Sequence, residues 1–243
     1  IQPFGSLAPI AVGVSMIFEV PARMSDEDAA AYLIAAHTAF HATVRRGNVS
    51  QGEHVAVLGA AGGLGSAIVQ MCVARGARTI ALVGSEEKAR LCRELGAEAV
   101  NHSTHDVPAA LRGLTGGRGV DVIMDPVQGE MGATIRSALA VGGRHVVCGH
   151  AGGLVPHDPS FYLYNQSLIG ADLGGYTRDE MQRMHREAQT AITAWMDAGA
   201  YRPIVGRVVG FGDVPGALQD LAERRTAGRT VVRIPRGSRA AGV

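Results

Sequence analysis

A glycine cluster, Gly59-Ala-Ala-Gly-Gly-Leu-Gly65, follows the short apolar run His54-Val-Ala-Val-Leu58 and opens a helix-like stretch from Ser66 to Arg75. A phosphate reaches the amides at a helix N-terminus only where side chains are missing, and a strand–turn–helix setting is where such a turn holds a dinucleotide. The spacing reads Ala60-x-Gly62-x-x-Gly65, with Ala60 where the usual pattern has its first glycine. Ala61, Gly62, Gly63, Leu64 and Gly65 are the expected phosphate contacts. The plainer alternative is a glycine-rich turn that only packs helix on sheet.

The end of the next apolar run, Thr79-Ile-Ala-Leu-Val83, selects between dinucleotides. An NAD site places an acidic residue about 20 residues on, where it holds the ribose 2′-hydroxyl. Here Gly84 stands at that place, followed by Ser85 and by Lys88, the only lysine among 23 basic residues. A 2′-phosphate would gain a hydroxyl and an ammonium there with no carboxylate to repel it. Ser85 also reads as a helix cap and Lys88 as a solvated side chain. Yet a cation in a helix's first turn opposes the helix dipole, and a bound phosphate would offset that. NADPH is the expected cofactor.

Other chemistries find less support. Cys72, Cys92 and Cys148 form no CxxC, which argues against a disulfide framework and structural zinc and makes a reducing cytoplasm the expected location. His37 and His41 are spaced to share a metal on a helix, but no third ligand lies nearby in sequence, so ordinary packing is expected. Cys72 and Cys148 read as small buried apolar residues. Nothing has the form of a nucleophile elbow or a P-loop. Arg224, Arg225 and Arg229 read as a solvated helix end. No residue is identified as a catalytic acid.

The elements that must position these residues are legible from periodicity. Short apolar runs at 98–100, 120–124, 144–148 and 167–170 alternate with helical patterns at 86–95, 106–114 and 130–141. That describes a parallel sheet covered on both faces, a doubly wound α/β fold of Rossmann type. Toward the ends, 1–20 reads as extended, and Ser25-Asp-Glu-Asp28 caps a helix. Thr177-Arg-Asp-Glu180 opens a long helix to about 198, and strands at 203–209 and 230–234 enclose a helix at 214–225. The chain of 243 residues is 47% hydrophobic with a net charge of +1, so neither nucleic acid nor an anionic membrane is an expected partner. No apolar run is long enough for a membrane span. The first residue is Ile1, so the true start is expected to lie upstream.

Taken together, Gly59–Gly65, Gly84-Ser-x-x-Lys88, Leu95-Gly-Ala97, Thr115-Gly-Gly-x-Gly119-Val-Asp121 and Gly142-Gly-Arg144 resemble the medium-chain dehydrogenase/reductase superfamily. They are most similar to its zinc-free quinone oxidoreductase branch. The resemblance divides the chain into 1–28, a remnant of a GroES-like catalytic domain, 29–176, the dinucleotide-binding domain, and 177–243, a linking helix and return to the catalytic domain. It implies about a hundred further residues at the N-terminus. It places Thr38 near the nicotinamide, His102 beside the 2′-phosphate where relatives often carry tyrosine, and Asp125, Val127, Cys148, Gly149 and His150 around the nicotinamide ribose. A zinc ligand of other branches would fall near Ile34, which cannot coordinate metal.

The implied activity is NADPH-dependent hydride transfer to a small-molecule electron acceptor, a quinone or an α,β-unsaturated carbonyl. The alternatives are an enoyl-thioester reductase, a zinc alcohol dehydrogenase and a non-catalytic NADPH-binding protein. The resemblance also implies a homodimer paired through the edge strand at 167–173.

Overall fold

The computed structural model describes residues 20–21, 24–155 and 158–234, so the extended reading of 1–20 lies almost wholly outside the described residues. Its elements in chain order are α1 (Asp26–Phe40), β1 (His54–Val57), α2 (Gly63–Ala74), β2 (Arg78–Val83), α3 (Glu86–Glu94) and β3 (Glu98–Asn101). There follow α4 (Val107–Leu114), β4 (Val120–Asp125), α5 (Gly129–Ile135), β5 (Leu139–Val147), α6 (Ser160–Leu163) and β6 (Ser167–Gly170). The chain returns through α7 (Arg178–Asp197), β7 (Val205–Gly210), α8 (Val214–Ala222) and β8 (Arg229–Arg233).

Six parallel strands form one sheet in the order β3-β2-β1-β4-β5-β6. This is the doubly wound arrangement, whose switch point lies between β1 and β4. Side chains alternate across each strand, so one run feeds two cores. Val55, Val57, Ala81, Val83, Val122 and Met124 pack with α1, α2 and α3. Ala56, Leu58, Ile80, Leu82 and Ile123 pack with α4 and α5 on the other face. A strand buried on both sides has no polar alternation, which is why these runs are apolar throughout.

Caps fall where their residue types predict. Ser25 Oγ accepts the Asp28 amide at 3.1 Å, and Thr177 and Glu180 form a reciprocal capping box on α7. The expected domain boundary at 28/29 cuts into α1, which already begins at Asp26. The helix expected over 130–141 ends sooner. After α5 a 3-10 turn covers 136–138, and Leu139 begins β5 by pairing with Val120. Ladder hydrogen bonds and burial of Leu139 and Ala140 outweigh the helical preference of Leu and Ala there. The helix expected to reach 225 ends at Ala222.

β7 and β8 form a separate two-stranded parallel sheet. It is clasped to the six-stranded unit by Gly228 N donating to Ala61 O at 2.7 Å and by paired bonds between Gln70 and Arg202 at 2.9 and 3.0 Å.

Two buried histidines tie α1 to α7. His37 Nδ1 and His185 Nδ1 lie 2.5 Å apart, and His37 Nε2 is 3.1 Å from Gln189 Oε1, which also accepts from Tyr32 at 2.8 Å. Gln189 Oε1 only accepts, so His37 carries its proton on Nε2 and accepts from His185 at Nδ1. His41 turns instead to the edge of Tyr176, so the two histidines on consecutive turns do not converge.

Burial pushes His37 down to about 4 and lowers His185 as well. Between the unfolded histidine value, about 6.5, and that folded value the unfolded chain binds more protons, so stability is full above the window and falls with pH inside it. Urea unfolding from pH 7.5 to 4.5 should show a loss of up to about 1.4 kcal/mol per pH unit for each such histidine. His37→Gln should flatten the slope. A pH-independent wild type would contradict this network.

Candidate functional site

The glycine turn rises from the carboxyl end of β1 at the switch point. Gly59 has φ +56°, a left-handed conformation that disfavours any side chain, and within the turn only Gly59 departs from negative φ. The conformational task of a first glycine thus falls to Gly59, one residue before the position where the pattern places it, and Ala60 is free to be buried apolar surface. Gly62 then caps α2 with φ −77° and ψ 174° and offers no side chain to its amides. A Cβ on Gly65 would stand 2.1 Å from the Gly59 carbonyl oxygen, so helix and turn are in direct backbone contact.

The first turn of α2 has no side-chain cap, and its dipole and amides suit an anion. An independent feature shows that the residues fit a dinucleotide phosphate. The Arg229 side chain lies across Gly63, where a Cβ would fall within 2.6–2.9 Å of its Nε, Cδ and Cγ. Arg229 Nε is buried and has no hydrogen-bond partner among the described residues, and burial holds this guanidinium below its ordinary pKa. A cation set against a helix N-terminus is unfavourable until an anion sits between them. The expectation of a solvated basic patch therefore fails for Arg229. Arg225 pairs with Asp220 at 2.6 Å and with Glu223.

A second group of residues gathers around the end of β2. Ser85 caps α3, its Oγ accepting the Lys88 amide at 3.3 Å. Lys88 is half-buried. Its Nζ donates at 2.6 Å to the carbonyl of Arg224, a residue held at φ +59° just beyond α8. His102 packs on Gly84, its ring atoms 3.2 Å from where a Cβ would be. Burial, then Arg224, then Lys88 lower its pKa. A protonated imidazole is disfavoured by these surroundings, and an added dianion would favour it. Three groups of cationic type converge with Ser85 and Ser103 beside the backbone of Gly84.

At the ends of β4 and β5 the expected residues divide. Val127 approaches the glycine turn, 3.1 Å from a Cβ on Gly59. Gly149 lies against the Pro126 carbonyl, and His150 is exposed at the same edge. Cys148 is half-buried, with burial pushing its thiol up to about 12, consistent with an unreactive packing residue. Asp125 differs from expectation. It is 0% exposed; Oδ1 accepts the amides of Val127 and Gln128 at 2.8 and 2.6 Å, and Oδ2 lies 2.8 Å from His145 Nε2. It shapes the turn from behind instead of lining the pocket. Thr38 is half-buried on α1, which packs against α2, and its side chain makes no hydrogen bond among the described residues. Among those residues no three His, Cys, Asp or Glu side chains gather as a metal would require.

Comparison with known proteins bears on this geometry. A family model described as zinc-binding dehydrogenase matches residues 63–190. Quinone oxidoreductase-like protein 2 of Bos taurus is 30% identical over 220 residues, which are 89% of this chain and 63% of that protein. Crotonyl-CoA reductase of Streptomyces avermitilis is 29% identical, over 94% of this chain and 54% of that enzyme. The quinone oxidoreductase of Thermus thermophilus, solved also with NADPH, superposes with a TM-score of 0.76 at 30% identity, over 89% of this chain and 69% of that one.

The chain belongs to the medium-chain dehydrogenase/reductase family. Within it, the chain stands in the quinone oxidoreductase branch and spans about 63% of the length of its mammalian relative.

Gly65→Ala tests the cradle. Its methyl group would meet backbone, so the variant should lose about 1–3 kcal/mol of stability, visible as a lowered melting temperature. Gly62→Ala, whose Cβ would be 3.2 Å from the Gly59 oxygen, should cost less. Equal melting of both variants would mean that the close approach is not a constraint.

Proposed function

We propose that this chain is the NADPH-binding part, with some of the substrate cleft, of an oxidoreductase that reduces a quinone or an α,β-unsaturated carbonyl. The observation that carries the cofactor reading is the meeting of Lys88, His102 and Arg224 at the end of β2, where a carboxylate would mark NAD. The uncapped α2 and Arg229 would hold the pyrophosphate; Ser85, Lys88, Arg224 and His102 would hold the 2′-phosphate. Gly84, with no side chain, lets His102 approach the same point. Val127, Gly149 and His150 would border the nicotinamide half, with Thr38 approaching it from α1. The reduced nicotinamide supplies hydride when bound, while the chain supplies binding, orientation and exclusion of water.

Ile34, 45% exposed on α1, has no metal-binding atom where other branches of the family place a zinc ligand, which supports a zinc-free reaction. A second reading, reduction of an enoyl thioester, is favoured by the likeness to crotonyl-CoA reductase. The partner in solution is a second copy of the chain. β6 is an edge strand, and the exposed Tyr162, Leu163 and Leu168 beside it are the surface that pairing would cover. No helix among the described residues is long and apolar enough to cross a membrane, and the cytoplasm is the proposed location.

Titration with NADPH and NADH, followed by nicotinamide fluorescence, checks the cofactor. NADPH should bind more tightly, and Lys88→Ala should reduce that preference by about tenfold, the worth of one charge-assisted contact. Equal affinity for both in the wild type would refute the 2′-phosphate reading. With NADPH bound, turnover of naphthoquinone against crotonyl-CoA separates the two acceptor classes, and light scattering reads the dimer.

A further inference from the structure

A buried polar line lies behind the turn after β4, and neither the phosphate cradle nor the strand ladder requires it. Asp125 and His145 are 0% exposed and Arg136 is 7% exposed. Arg136 Nε donates to His145 Nδ1 at 3.3 Å, and His145 Nε2 faces Asp125 Oδ2 at 2.8 Å. Because Nδ1 accepts from a guanidinium, the ring proton sits on Nε2 and points at the carboxylate. Asp125 Oδ1 then takes the amides of Val127 and Gln128. Guanidinium, imidazole and carboxylate therefore form one chain ending on the backbone of a turn.

That turn is strained. Gln128 has φ 55° and ψ −137°, a conformation that side-chain-bearing residues rarely adopt and that surrounding structure must hold in place. Its side chain bridges to the loop after β5, Nε2 donating to Gly149 O at 3.0 Å and Oε1 accepting the Val155 amide at 3.3 Å. The two loops also touch backbone to backbone: a Cβ on Gly149 would lie 2.5 Å from Pro126 O, and one on Gly129 would lie 2.4 Å from Gly152 O. Arg136 extends the line to the far side of the same loop, stacking 5.4 Å over Phe161 and attracted by Asp158.

Desolvating three such groups is expensive, and well-packed apolar residues would serve stability as well, so the line is explained by the conformation that it enforces. The loops that it fixes stand at the carboxyl ends of β4 and β5. These strands belong to the second mononucleotide half, across the switch point from the 2′-phosphate end.

We infer that Arg136, His145 and Asp125 are positioning residues that fix the 126–129 turn and the 148–155 loop against the nicotinamide half of the cofactor without touching it. The inference rests on the reading of the cleft as an NADPH site.

Half-cofactor binding tests it. Adenosine 2′,5′-bisphosphate carries the 2′-phosphate end and no nicotinamide. In Asp125→Asn, the Asn amide group must face either His145 Nε2–H or the two backbone amides, so a donor meets a donor. NADPH affinity should fall about tenfold, while affinity for the bisphosphate stays within about twofold of wild type. Arg136→Lys keeps the positive charge, loses the Nε donor, and should show the same selective loss in smaller measure. If Asp125→Asn does not fold, Arg136→Lys decides. Equal loss of both probes, or no loss of NADPH affinity, overturns the inference. A wild type that binds neither probe instead overturns the dinucleotide reading itself.

Discussion

The close approach of Gly65 to the Gly59 carbonyl sets the geometry on which the remainder of the cleft depends. No side chain fits in that gap, so α2 starts in backbone contact with the turn that leaves β1. The residues proposed to read phosphate are all referred to that point. The Ala61 carbonyl, in the same turn, receives Gly228 N, and so the C-terminal return is registered on the glycine turn itself. Arg229 follows by one residue and falls across Gly63; Arg224 precedes by four and meets Lys88. One backbone hydrogen bond thus places two basic residues at opposite ends of the proposed phosphate-binding surface.

The two halves of the cleft are held by different physics. On the β1–β2 side, Lys88, His102 and Arg224 are gathered, and burial first, then Arg224 and Lys88, lowers the pKa of His102. Such a surface is under electrostatic tension that an anionic ligand relieves. On the β4–β5 side the charges are internally neutralised, Arg136 through His145 to Asp125, and what reaches the cleft is backbone and small side chains. In the proposed reading the anionic end of the cofactor lies on the first side and its uncharged reduced ring on the second.

The parts of this arrangement that were legible in the sequence are local. The central strands were readable because burial on both faces leaves no polar alternation. The glycine turn, the Ser85 cap and Lys88 were readable because their spacing is set within one βαβ unit. The strand at 139–143 was missed, since Leu139 and Ala140 suit a helix and only the pairing with Val120 decides otherwise. Arg224 and Arg229 were read as solvated because their partners lie 136 or more residues away, as with Lys88 and Arg224. His145 and Arg136 gave no signal, because the contacts that join them to Asp125 are made only in the fold. Gly228 before Arg229, at the start of a strand, was the one cue that a backbone approach was needed.

The central claim is that this chain reads a 2′-phosphate with a cluster of basic groups. Phosphorus NMR of NADPH bound to the chain, followed from about pH 5 to 8 across the second ionisation of a phosphate monoester at about 6, tests it most directly. If Lys88, His102 and Arg224 surround that phosphate, its resonance should stay at the dianion position through the range while the pyrophosphate signals shift on binding. A 2′-phosphate that titrates as it does in free NADPH, with the pyrophosphate signals still shifted, would show that the glycine turn binds a dinucleotide and that the basic cluster does not read it.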